Sequence, residues 1–315
     1  MNTTPATAPD ATPEATGSSG PRSALVVNTH RVEGSDVLRA RIEQRLAEAG
    51  WPAPAWFETS AEDPGEGQAR QAVADGAEVV MVCGGDGTVR SAIDGLVGTD
   101  AALAVLPGGT GNLLAANLGI PADVDGALDV VLAGGRRSID VGETEGQTFA
   151  IMAGMGFDAK VMDSAPTALK AKAGWLAYVV SAVKHVAERE MHVQIRIDDQ
   201  PPLTRHARTV LVGNVGKLQG GLVLLPDAEP ANGRLEVAIV APRNIGHWIQ
   251  LVVGVALRRE RVPRREILRG TRVRVRSDRP QPRQIDGDVI DDGRSLDVRV
   301  RAGALHVCAP AQPEA

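Results

Sequence analysis

Val79-Val80-Met81-Val82-Cys83-Gly84-Gly85-Asp86-Gly87-Thr88 passes from an unbroken apolar run into three glycines, a carboxylate and a hydroxyl. A helix-compatible segment, Val89 to Leu96, follows. This is the order of a buried strand, a tight loop and a helix N-terminus, where backbone N–H groups and the helix dipole converge on a phosphate. A second loop of the same kind, Leu106-Pro107-Gly108-Gly109-Thr110-Gly111-Asn112, ends the next apolar run. Glycines let the backbone approach phosphate oxygens, and Thr88 and Thr110 add hydroxyl donors. Asp86 would repel a bare phosphate, so it implies a Mg²⁺ ion or a transferable proton in between. No Gly-x-x-x-x-Gly-Lys-[Ser/Thr] occurs, which excludes a Walker-type loop.

Outward from these loops, residues 22–137 alternate strand and helix. Ala24 to Asn28, Ala55 to Thr59, Val79 to Cys83 and Ala101 to Leu106 read as strands. Helices are expected from Asp36, as cap, to Gly50, from Glu66 to Asp75, and from Val124 to Ala133. The alternation predicts an α/β domain with a parallel sheet, whose ligands sit beyond the carboxyl ends of the strands. Residues 138–295 change character. Short strands are expected at Ile139–Glu143, Thr148–Met152, His192–Ile197, Thr204–Val212, Leu222–Leu225 and Leu235–Val240, with helices over Thr167–Glu190 and Asn244–Arg259. This predicts a β-rich C-terminal domain, a β-sandwich. Residues 1–21, rich in Thr, Pro, Ala, Ser and Gly, read as a disordered tail without the basic start and apolar core of a secretory signal.

The chain has 315 residues, 43% of them hydrophobic but only 3% aromatic, so the core must be built from Ala, Val, Leu and Ile. A net charge of -5 speaks against a dedicated nucleic-acid binder. The two cysteines, Cys83 and Cys308, have no metal spacing and fit a reducing cytoplasm. No apolar segment reaches the ~20 residues of a membrane span, so membrane contact is expected to be peripheral, at the inner face.

The two loops in this order resemble the diacylglycerol kinase catalytic-domain family, which includes bacterial lipid kinases and the sphingosine and ceramide kinases. The resemblance runs over nearly the whole chain after the tail. Asn28-Thr29 stands at the family's Asn-Pro start, and Gly154-Met155-Gly156-Phe157-Asp158-Ala159 resembles its Gly-x-Gly-Phe-Asp-Ala segment. Gly213-Asn214, Gly220-Gly221 and Pro226-Asp227-Ala228 resemble later segments, and Ile285-Asp286-Gly287-Asp288 stands at its Asp-Gly-Glu motif. The resemblance implies an NAD kinase/diacylglycerol kinase-like architecture, with ATP bound between the domains and residues 296–315 returning to the first domain. It also implies Mg²⁺-dependent transfer of the γ-phosphoryl group to a lipid hydroxyl, that of diacylglycerol or a similar lipid. Thr29, Gly84, Gly85, Asp86, Gly87, Thr88, Gly109, Thr110, Gly111 and Asn112 would contact nucleotide. Asp86 would organise Mg²⁺ or phosphate, and Asp288 would be the general base, with Asp286 an alternate carboxylate.

Two positions depart from the family pattern. Asp288 is one methylene shorter than the usual Glu, and Asn232-Gly233-Arg234 replaces the Asp-Gly-Leu that binds a structural Mg²⁺ in many bacterial members. The Gly-Gly-Asp-Gly-Thr loop alone is shared with NAD kinases, so NAD remains an alternative acceptor beside sphingosine and ceramide. A lipid- or nucleotide-binding protein without catalysis is the non-enzyme alternative. Trp175, Leu176, Val179, Val180, Val183 and Val186 would share one face of the Thr167–Glu190 helix, as core or as a wall for acyl chains; Trp248, Ile249, Leu251 and Val252 pose the same choice. Eleven arginines fall between Arg258 and Arg283; Arg272, Arg274 and Arg276 would share one strand face, either solvated or docked on anionic lipid heads. Sequence leaves the oligomeric state open.

Overall fold

Four parallel strands form the first sheet: β1 (Ser23–Val27), β2 (Ala55–Glu58), β3 (Val79–Gly84) and β4 (Ala102–Pro107). β3 lies between β1 and β4, and β2 takes the far side of β1. Every residue of β1, β3 and β4 is buried, which is why these strands read as unbroken apolar runs. β2, at the edge, has no fully buried residue and gives the weaker signal. The chain leaves β1 towards β2 and then crosses to β3 on the other side. The crevice between the ends of β1 and β3 is therefore the topological switch point, where open α/β sheets bind ligands. The computed structural model describes residues 20–30, 32, 34–109, 111–156, 190–218, 222–257 and 262–311. The expectations for the tail up to residue 19, for Thr110, and for Phe157-Asp158-Ala159 fall outside the described residues. So do those for the Thr167–Glu190 helix up to residue 189, for Gly220-Gly221, for Arg258, Arg259 and Arg261, and for the side chain of Val252.

Five helices accompany this sheet among the described residues: α1 (Ser35–Glu48), α2 (Glu66–Ala74), α3 (Asp86–Leu96), α4 (Leu113–Leu118) and α5 (Val124–Leu132). α2 packs on α3 and α1 on α5, the latter pair pinned by Arg45–Asp129 at 2.5 Å and by Arg41–Asp125. Two helix starts differ from expectation. The residue preceding α1 is Gly34 in the left-handed conformation, and Asp36 lies inside the first turn, where its charge opposes the positive dipole end. α3 begins at Asp86 rather than Val89, so half of the Gly loop is helix.

The remaining strands are β5 (Arg136–Thr144), β6 (Gln147–Phe149), β7 (Met152–Met155), β8 (Met191–Ile197), β9 (Leu203–Ala207), β10 (Thr209–Gly213), β11 (Leu235–Val240), β12 (Arg265–Gly270), β13 (Arg272–Ile285) and β14 (Asp288–Cys308). They pair antiparallel, apart from the last contact of β14. One layer runs β7-β10-β11-β12, and the other β9-β8-β13-β14. Phe149, Ile195, Val212, Val237, Val275 and Leu296 belong to one buried cluster fed from both layers, the core of a β-sandwich. Each such side chain contributes roughly 1.5–3 kcal/mol on burial. β13 serves both layers: Val273 to Ser277 pair with β8, and Arg283 to Ile285 pair with β7. Its register slips between Arg276 and Arg283, where Pro280 and Pro282 supply no N–H to a ladder.

β14 starts in the sandwich beside β13 and continues antiparallel to β5. Its His306 and Val307 lie parallel to Ala102 and Leu103 of β4. One strand thus runs through both sheets. Thr204–Val212 is two strands and not one, broken at Arg208, because β9 pairs with β8 in one layer and β10 with β7 and β11 in the other. Leu222–Leu225 is no strand: Val223 makes a single bridge to Lys217, while Leu224 and Leu225 are buried against helix α6 (Ile245–Ala256). In β13, Val273 and Val275 are buried and Arg272 and Arg276 exposed, as the alternation predicts.

Candidate active site

The carboxyl ends of β1, β3 and β4 bring Asn28-Thr29, Gly84-Gly85 and Gly108-Gly109 side by side. The Asn28 N–H donates to the Cys83 carbonyl at 3.0 Å, its Nδ2 to Thr88 Oγ1 at 3.2 Å, and the Gly108 N–H to the Gly84 carbonyl at 3.3 Å. Thr29 lies in the turn that follows β1. The two Gly loops touch so closely that a Cβ on Gly109 would stand 2.9 Å from the Gly85 Cα, and one on Gly108 would stand 3.0 Å from the Gly84 nitrogen. Only glycine allows this approach. On the opposite side, a Cβ built on Gly85 or Gly87 meets nothing within 4 Å among the described residues. The loops are locked together on one face and open on the other, where α3 begins.

Asp86, in the first turn of α3, ties the loops together: its Oδ1 accepts the Leu113 N–H at 2.7 Å, at the start of α4. Burial raises its pKa, the Leu113 and Asn112 N–H groups counteract, and the charge of Asp288 raises it further. Asn112 is left-handed, with φ 45, and its Nδ2 donates to the Gly109 carbonyl at 2.6 Å; Gly111 precedes it. The Oδ1 atoms of Asn28 and Asn112 are both buried without a hydrogen bond from the described residues.

Asp288 opens β14 from the second domain. The preceding Asp286-Gly287 is the two-residue turn of the β13–β14 hairpin, with φ 48 and 94, as a type I′ turn requires. The Gly287 N–H donates to Gln284 Oε1 at 2.7 Å, which braces the turn. Asp286 and Asp288 have opposite environments. Asp286 Oδ2 accepts from the Ala150 N–H at 3.0 Å, and its Oδ1 accepts from Ile151 at 3.0 Å and Met152 at 2.7 Å. Burial lifts its pKa to about 7 against those donors and the charge of Arg90. Asp288 has a side chain 52% exposed and takes its contact from Arg90, whose Nε donates to Oδ2 at 2.8 Å.

Arg90 is the site residue that sequence reading passed over. It lies one turn beyond Asp86 on α3, with Asp94 a further turn on, so the three charges share a face. Its Nη1 reaches Gln147 Oε1 at 3.3 Å and Asp94 Oδ2 at 3.7 Å, and Asp94 Oδ1 accepts the Thr148 N–H at 3.0 Å. One helix therefore carries the Gly loop at its start and grips the second domain along its side. The i, i+4, i+8 spacing stands in the sequence, but a helix starting at Val89 leaves Asp86 outside it, whereas α3 includes all three.

The open face of the loops suits phosphate, with accessible glycine backbone and the N-terminus of an 11-residue helix, whereas the two buried amide oxygens are acceptors and suit a cation or a donor group. For a hard cation it offers Asp86. No cluster of three His, Cys, Asp or Glu exists among the described residues, so a Mg²⁺ here would draw its other ligands from phosphate and water. Asn232 Oδ1 accepts the Arg234 N–H at 2.9 Å within its own turn. A cavity of about 1000 Å³ opens elsewhere, lined by Asn117, Lys217, Leu225, Val262, Arg265 and Arg269 among others; neither the Gly loops nor Asp288 line it.

Comparison with known proteins agrees with this layout. A family model described as the diacylglycerol kinase catalytic domain matches residues 22–144, and one described as the YegS C-terminal NAD kinase beta sandwich-like domain matches residues 151–309. The chain is 29% identical to a diacylglycerol kinase of Bacillus subtilis over 79% of its own length and 83% of the relative's. It is 30% identical to a Pseudomonas fluorescens protein named "Probable lipid kinase YegS-like", over 92% of its length and 96% of the relative's. With two further relatives the chain spans little more than half of their length, 57% and 56%. A crystal structure of a diacylglycerol kinase from Bacillus anthracis shares the fold, with a TM-score of 0.71 at 18% identity, covering 92% of this chain and 97% of that one.

Proposed function

Because the chain belongs to the diacylglycerol kinase catalytic-domain family, we propose that it transfers the γ-phosphoryl group of ATP to a lipid hydroxyl, turning diacylglycerol into phosphatidic acid. The observation that carries this reading is the single helix α3, which holds the open Gly85–Gly87 face at its start and Asp288 of the other domain through Arg90 at 2.8 Å. The open Gly backbone and an exposed carboxylate are thereby held in one frame, and phosphoryl transfer depends mainly on such positioning.

In this account the N–H groups of the Gly loops and of the first turn of α3 receive the phosphates. Mg²⁺ at Asp86 would supply neutralising charge between the phosphates and the carboxylate. Asp288 accepts the proton of the lipid hydroxyl as its oxygen bonds to the γ-phosphorus. The bond from that phosphorus to the bridging oxygen of the β-phosphate breaks, and ADP leaves. Arg90 holds Asp288 at the cleft and balances the paired negative charge of Asp86 and Asp288. Asp286 is assigned a structural role, since all its contacts go to the backbone of residues 150–152.

Transfer of label from γ-labelled ATP into a total lipid extract, with mass identification of the product, tests this reading. Labelled phosphatidic acid supports it. Label found only in NADP when NAD is supplied, with none in lipid, would replace it with the NAD kinase reading.

A further inference from the structure

Helix α6 is a surface helix without an ionised face. From Ile245 to Leu257 it contains no Asp, Glu, Lys or Arg. Its inner side packs Trp248, Leu251 and Val255 into a cluster with Val240, Leu225 and Val262; the last two also line the large cavity. Its outer side presents Ile249, Val253 and Leu257, spaced i, i+4, i+8 and therefore in one row. They are 49%, 39% and 60% exposed, three of the five large hydrophobic side chains exposed among the described residues. A helix that lies in water on one side carries charge there. This one carries an apolar ridge.

The charge that the helix lacks stands at its ends. Arg243, with a side chain 62% exposed and its Nε 3.9 Å from Glu190 Oε1, precedes it, and the exposed Arg264 follows. In the sequence, residues 243–265 hold six arginines against the single acid Glu260, in a chain of net charge -5. An apolar ridge bracketed by arginines matches the boundary of an anionic bilayer, where the ridge enters the acyl region and the guanidinium groups meet the phosphates. A second copy of the chain fits less well, since a two-fold contact on this face would set one arginine-rich flank near another. No helix among the described residues is long and apolar enough to cross a membrane, so the contact would lie along the surface.

We infer that the Ile249-Val253-Leu257 ridge of α6 is a docking surface for anionic membranes, by which the protein reaches a substrate that resides in the bilayer. This rests on the lipid kinase reading for its purpose, whereas vesicle binding and melting temperature test it apart from that reading. The full-length chain and the triple variant Ile249→Gln, Val253→Gln, Leu257→Gln are sedimented with phosphatidylcholine vesicles, with and without phosphatidylglycerol. Glutamine keeps the helix propensity while removing the ridge. Wild type should bind the anionic vesicles, more weakly at high salt, and the variant should partition at least about tenfold less. The variant should retain the wild-type melting temperature and the wild-type rate on short-chain diacylglycerol in detergent micelles. Equal binding by the two proteins, or none by wild type, overturns the inference. So does a wild-type oligomer that the variant converts to monomer without lipid, which would make the ridge an interface between copies. Vesicle binding that follows the ridge while no lipid is phosphorylated would leave the docking surface standing and remove the kinase reading.

Discussion

The Nε of Arg90 and the Oδ2 of Asp288 lie 2.8 Å apart, although 198 residues separate them along the chain. Arg90 belongs to the helix that springs from the first Gly loop, and Asp288 to the strand that begins at the hairpin of the sandwich. The contact fixes where the exposed carboxylate of one domain stands relative to the open Gly-loop backbone of the other. Asp288 is half exposed, so the pair adds little to stability, about 1 kcal/mol or less. Its worth lies in position.

Replacing Arg90 should therefore cost turnover more than stability. Arg90→Gln is expected to lower kcat at least about tenfold while shifting the midpoint of unfolding only slightly. Arg90→Lys should rescue poorly, because one ammonium cannot match the planar fork that meets Asp288, Gln147 and Asp94 together. Steady-state kinetics beside urea melts would decide; a large loss of stability with unchanged kcat would make Arg90 a structural residue only.

The two Gly loops predict a contrast between neighbouring glycines. Gly109→Ala would drive a methyl to 2.9 Å from the Gly85 Cα, so the loops must part. It should lower stability by about 1–3 kcal/mol and also weaken ATP binding. Gly85→Ala meets no atom within 4 Å and should leave stability almost unchanged, yet fill the face where phosphate is received. Its expected effect is a KM for ATP raised about tenfold or more, a loss of one good charge-assisted contact. Thermal melts and ATP titrations of the two variants together test this.

Asp286 predicts a pH effect with a definite sign. Burial raises its carboxyl from 3.8 to about 7, so between these values the folded protein holds a proton that the unfolded chain has released. Stability from this group is therefore full below pH 3.8, falls as pH rises towards 7 and is level above. Asp286→Asn has one acceptor oxygen for three N–H donors and should be less stable by about 1–3 kcal/mol. It lacks the titration, so the gap between wild type and variant should narrow from pH 5 to pH 8 in urea unfolding. A gap that widens would contradict the assignment.

The first domain was legible because its physics is local. β1, β3 and β4 are buried on both faces and leave continuous apolar runs, and the glycines that follow β3 and β4 stand where the two loops touch. The sandwich was harder to read. β12, β13 and β14 are rich in arginine and aspartate on their exposed faces, and β13 contains two prolines at the point where it passes between layers. Thr204 to Val212 reads as one alternating run, and only tertiary pairing separates β9 from β10 at Arg208. Within the candidate site, Asp86 and Asp288 stand out in the sequence by motif. Their link through Arg90, and the burial that sets Asp286 apart from Asp288, depend on contacts between residues far apart in sequence.

In the proposed reaction Asp288 serves a phosphoryl transfer to lipid from the Gly-loop cleft. The most direct test gives γ-labelled ATP, Mg²⁺ and diacylglycerol in mixed micelles to the wild-type protein and to Asp288→Asn. Loss of a general base typically costs about 10²–10⁴ in rate. Labelled phosphatidic acid is expected from wild type and a rate at least about 100-fold lower from the variant, with ATP binding retained in both. No labelled lipid from wild type, or equal rates from the two proteins, would contradict that role.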